Sequence, residues 1–155
     1  MKIAFHPYNS DWVAQIRQGG EDDYGQKAER VVSDGGGNPC RHCLQYIPEG
    51  AEMLICAARP FPEMQPYAET GPIFLCGDSC EAFSGEGVPP VLSESPDYLL
   101  KGYNDDYRIV YGTGQITPVA DVSRIATELL RRREVEFVDI RSSRNNCFQC
   151  RVRVA

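Results

Sequence analysis

A chain of 155 residues, 42% of them hydrophobic, fills one ordinary core and is short for two, so a single domain over residues 1–155 is expected. A charged fraction of 25% with aromatics spread along the chain excludes general disorder, leaving only Gly19 to Gly25 and Asp34 to Asn38 as flexible stretches, and a net charge of -6 argues against general nucleic-acid binding. Nowhere do about 18 apolar residues run together, and the opening MKIAFHPYNSDW lacks a signal-type apolar stretch, so no membrane association and a cytoplasmic location are expected.

The segment MKIAF alternates like a half-buried strand, and Asn9 or Ser10 is placed to cap a short helix carrying Trp12, Val13 and Ile16 on one side. After GGEDDYG, Arg30 to Val32 reads as a strand that stops at DGGGNP, residues 34–39, where glycines and proline break regular structure. Ala51 to Ala58 is apolar enough for a central strand, the proline-rich run RPFPEMQPYAETGP cannot pair in a sheet, and PIFLC returns as a strand. Tyr98 to Tyr103 and Tyr107 to Tyr111 read as paired strands about a turn at Asn104 to Asp106, followed by a GTG turn at Gly112 to Gly114. A helix starts near Asp121, because Val122, Ile125, Ala126, Leu129 and Leu130 recur at helical spacing and Arg131 to Arg133 suit its C-terminal end. VEFVDI and FQCRVRV form the last strands. Many short strands with two helices and no repeating βαβ unit give an α+β class: a single domain with an antiparallel or mixed sheet and two packed helices.

Charge is uneven. From Arg131 to Ala155 seven arginines face three acids, a local +4, which makes this segment a candidate anion site or a set of solvated strand and helix-end positions.

Six of the seven cysteines are paired by spacing: Cys40 and Cys43 as C-x-x-C, Cys76 and Cys80 as C-x-x-x-C, Cys147 and Cys150 as a second C-x-x-C. Cys56, inside MLICAA, reads as core filler. In a reducing compartment such pairs bind metal or do redox work, and thiolates suit tetrahedral zinc. Two features run against simple templates. Leu44 and Arg151 stand where zinc turns usually place glycine, and CFQC leads into a strand rather than the helix N-terminus that activates a redox thiol. His42, between Cys40 and Cys43, is a candidate ligand or base. No Ser-His-Asp order, phosphate loop, HExxH or dinucleotide fingerprint is present.

The strings NPCRHCL, RPFP, QPYAETGPIFL, YGTG and RSSRNNCFQCRV together resemble an uncharacterised bacterial family, domain of unknown function 1203, from about Arg30 to the C-terminus. The resemblance implies no reaction. It does imply that histidine stands at the position of Cys76 in related chains, an exchange that a zinc site tolerates and a disulfide does not, and that Cys43 and Cys147 are retained more widely than Cys40 and Cys150. On that basis the expected zinc ligands are Cys43, Cys76, Cys80 and Cys147, with Cys40 and Cys150 as alternates or a thiol pair. Tyr67, Glu69 and Arg144 join His42 as candidate ligand-binding residues, with Glu69 free to pair instead with Arg59 or Arg144. Three functions follow as expectations: a zinc-pinned binding or interaction module, an enzyme using a metal-bound water or a thiolate of Cys40 or Cys150, and a redox sensor with a Cys40–Cys150 disulfide.

Overall fold

The alternating IAFH segment forms β1 (Ile3–His6), and Asn9 caps α1 (Ser10–Arg17) by accepting the amide of Trp12 at 2.9 Å, so that Val13 and Ile16 face inward. The computed structural model describes all 155 residues, Met1–Ala155. Its strands continue with β2 (Glu29–Val32), β3 (Glu52–Ala58), β4 (Gly71–Cys76), β5 (Asp97–Tyr103) and β6 (Gln115–Pro118). The apolar stripe from Val122 forms α2 (Val122–Leu130), and β7 (Phe137–Ser142) and β8 (Phe148–Val154) close the chain.

The fold is α+β, with two antiparallel sheets ordered β1-β8-β7-β5-β6 and β2-β3-β4. Helix α2 lays Val122, Ala126, Leu129 and Leu130 on Leu100, Val138, Ile140, Cys150 and Val152 of the larger sheet. Helix α1 packs Val13 and Ile16 with Leu54, Ile73 and Leu75 of the smaller sheet and with Phe148. A bulge in β8 lets one strand serve both cores. Ile140 pairs with Cys150 and Arg141 with Phe148, so the extra residue between them turns Phe148 away from the α2 side, where Cys150 points, toward the smaller sheet. No helix is long and apolar enough to cross a membrane.

Two expectations need correction. Tyr107 to Tyr111 makes only an isolated bridge between Tyr103 and Ile109, because Tyr107 takes φ +60° and Thr113 Oγ1 captures the Gly102 amide at 2.9 Å; the strand partner of β5 on that side is β6. The two stretches expected to be flexible are tied down by aspartates. Asp22 accepts the amides of Tyr24, Gln26 and Ala57, and Asp34 accepts the Gly36 amide and the Asn38 side chain.

Candidate metal centre

Residues 39–46 fold into a tight hairpin. Pro39 bridges Tyr46, the Cys40 amide donates to the Gln45 carbonyl at 2.9 Å, and the Leu44 amide donates to the Cys40 carbonyl at 3.0 Å. The turn requires a left-handed residue after Cys43, and Leu44 supplies it at φ +54° where glycine would be the ordinary choice. A left-handed non-glycine residue costs about 1–2 kcal/mol. Burial of the Leu44 side chain, 0% exposed in the α2 core, offsets this by about 1.5–3 kcal/mol. The leucine thus anchors the turn to the core.

The hairpin docks on β4, with the Arg41 amide donating to the Phe74 carbonyl at 3.1 Å and the Cys76 amide to Cys40 Sγ at 3.3 Å. Cys76 ends β4, and the chain turns through Gly77 to bring Cys80 back. The four sulfurs of Cys40, Cys43, Cys76 and Cys80 all lie within 4.8 Å of one another, with Cys40 3.9 Å from Cys80 and Cys43 3.9 Å from Cys76. A zinc ion with sulfurs at about 2.3 Å has tetrahedral edges of about 3.8 Å, whereas a disulfide needs sulfurs at about 2.05 Å. All seven cysteines are free. Four thiols are therefore close enough to hold one metal ion.

Two side chains approach the cluster at Cys80. Arg17, in the last turn of α1, donates from Nη2 to Cys80 Sγ at 3.0 Å and from Nε to the Cys76 carbonyl at 3.0 Å. His42 bridges Cys80 Sγ through Nδ1 at 3.3 Å and Ser10 Oγ through Nε2 at 2.9 Å; burial first, then Arg17, lowers its pKa, which favours a neutral ring. Among the thiols, Cys40 is held well below the ordinary range because Cys43 and Cys76 donate to its sulfur. The same bond with Cys40 pushes Cys43 up to about 12, and Cys76 is raised as well. A bound cation would take the place of thiol protons in such a cluster.

The structure brings together Cys43, Cys76 and Cys80 of the expected ligand set and joins Cys40 to them. Cys147 lies outside the cluster, in the turn before β8, with its thiol 3.7 Å from the Asn145 carbonyl. Cys150 is 0% exposed in the α2 core, and burial raises its pKa. With Cys147 in the turn and Cys150 in β8 pointing into the α2 core, CFQC does not make the close turn that CRHC makes. The proposed Cys40–Cys150 disulfide pair is not formed: Cys40 packs with the smaller sheet and Cys150 with the larger. Cys56 is core filler, as its apolar context indicates.

His42 is buried and holds Cys80. Tyr67 lies away from the sulfurs, bonded to the Tyr111 hydroxyl at 3.0 Å beneath Arg108, and Arg144 is exposed in the β7–β8 turn. Glu69 pairs with neither Arg59 nor Arg144. It reaches Arg141 at 3.0 Å and Lys101 at 3.5 Å, because its loop crosses the larger sheet beside β5 and β7. Sequence reasoning missed Arg17, Ser10 and Arg141. The first two come from α1, far from any cysteine in the chain, and Arg141 carries no signal that separates it from six neighbouring arginines.

A family model described as Protein of unknown function (DUF1203) matches residues 37–153. The chain belongs to this family. The match contains every cysteine of the cluster and begins after α1, so Arg17 and Ser10 lie outside it. No curated protein and no solved structure matches the DUF1203 chain.

Proposed function

We propose that this DUF1203 chain is a cytoplasmic binding or interaction module whose 39–46 hairpin is locked to the end of its smaller sheet by one zinc ion on Cys40, Cys43, Cys76 and Cys80. The observation that carries this reading is the mutual approach of four sulfurs within 4.8 Å, two of the separations being 3.9 Å and close to a tetrahedral edge. All-sulfur tetrahedral ligation in a reducing compartment suits zinc and excludes hard cations such as magnesium and calcium. Four protein ligands leave no open position, which counts against a metal-bound water. Cys150, buried with a raised pKa, is unsuited to thiolate chemistry.

The binding surface of such a module is a cleft of about 660 Å³ between α1 and the RPFP loop, walled by Tyr8, Trp12, Phe61 and Tyr107 and edged by Arg59 and Arg151. The test is elemental mass spectrometry on protein purified without a metal-affinity tag, with a native thiol count. One zinc per chain with four thiols protected is expected. A metal-free chain whose cluster thiols all react would end the reading.

A further inference from the structure

Five buried side-chain polar atoms make no well-directed hydrogen bond, and four of them fall in one place: Tyr103 Oη, Arg141 Nε, Arg141 Nη2 and Glu69 Oε2, the last held only by its ion pair with Arg141 Nη1 at 3.0 Å. Such atoms are rare because each one left unpaired costs about 1–3 kcal/mol, and more when charged. Their concentration marks a polar position with an unfilled role.

The charges there do not balance. Arg141, with a side chain 4% exposed, and Lys101, 12% exposed, share the single carboxylate of Glu69. The neighbouring Arg151 and buried Asp139 neutralise each other through two bonds of 2.7 and 3.0 Å. One buried positive charge is thus left over, an arrangement that is costly unless an anion completes it. Burial, and then the nearby Arg141, lower the Lys101 pKa, in keeping with two cations competing for one partner.

A cleft of about 380 Å³ opens beside this cluster, with Arg141 and Glu69 in its wall and Thr70, Asn145, Asn146 and Cys147 around them. Glu69 enters from the solvent side on the PYAETGP loop, 41% exposed. It meets Arg141 through Nη1 alone, leaving Nε and Nη2 without a partner. A guanidinium normally engages a carboxylate with two parallel bonds. Glu69 thus engages one corner of a guanidinium that a better-fitting carboxylate would engage through two.

We infer that this cleft binds a small carboxylate-bearing molecule, whose carboxylate replaces Glu69 on Arg141 while the Thr70 hydroxyl and the Asn145 and Asn146 amides meet its remaining polar groups. Glu69 is then an internal competitor, and its neutralisation strengthens binding. This site is independent of the metal centre, which none of its residues ligates.

The test is calorimetric titration of the metal-replete protein with succinate and, separately, with inorganic phosphate. Weak succinate binding by the wild type, at least tenfold tighter binding by Glu69→Gln, and at least tenfold weaker binding by Arg141→Lys are expected, with zinc content unchanged in both variants. Because Arg141→Lys can disturb the sheet, Glu69→Gln carries the decision. If that variant binds succinate no tighter than the wild type, or binds phosphate and not succinate, the inference is overturned; a site that takes up only water gives the first of these results.

Discussion

The two sheets are stabilised in different ways. The larger one has a helix laid along it and fifteen buried residues in one apolar cluster, with Leu100, Ile140 and Val152 fully enclosed. The smaller one has three strands, and its edge strand β2 is exposed at all four positions. Its core ends in a layer of cysteines, with Cys43, Cys76 and Cys80 packed at the margin. Where apolar area runs short, a metal crosslink on these sulfurs would do the work of a larger core. The α2 half should therefore be insensitive to chelation and the cysteine half dependent on it.

The largest expected effect breaks the second half alone. Removing the metal with a strong chelator under reducing conditions should cost more than about 4 kcal/mol, the mass-action stabilisation at free metal a thousandfold above Kd. In hydrogen exchange, β3, β4 and residues 39–46 should lose protection while β5, β7 and β8 keep theirs; equal loss in both halves would dissolve the contrast. Cys40→Ser should reduce zinc from one per chain to a small fraction, and Cys56→Ser should leave it at one. A Cys56 variant that loses metal would place the ligands elsewhere.

The complementary change strikes the other half. Ile140→Ala, which opens a cavity under α2, should lower stability by about 2–5 kcal/mol in denaturant titration while zinc content stays at one. Loss of metal from this variant would mean that the halves are not separable. Arg17→Ala should cost about 2 kcal/mol through its charge-assisted bond to Cys80, and it should speed the transfer of zinc to a chromogenic chelator. Unchanged transfer would reduce Arg17 to a packing residue. Smallest of all, Asn9→Ala removes the α1 cap at about 1 kcal/mol, seen as a modest drop in melting temperature with metal retained.

Much of the fold was legible because its elements are local. Asn9 caps α1, the 3.6-residue stripe from Val122 makes α2, and AEMLICAA forms the middle of a sheet. The segment Tyr107 to Tyr111 misled because its β-forming residues are overruled by a left-handed Tyr107 and by a hydroxyl of Thr113 that arrives from beyond the turn. At the site, the first C-x-x-C and the C-x-x-x-C showed in the sequence as pairs, yet spacing says nothing of which pairs meet.

By itself, then, the sequence determined most of the elements, the α+β class and the C-x-x-C turn at Cys40 and Cys43, since each depends on residues within a few positions of one another. Tertiary structure alone decided that Cys40 rather than Cys147 completes the sulfur cluster, that Arg17 and His42 flank it, and that Arg141 rather than Arg144 meets Glu69. These partners lie far apart in the chain. Sheet pairing, a bulge at β8 and a leucine held in a left-handed turn bring them together, and no local pattern encodes those long-range choices.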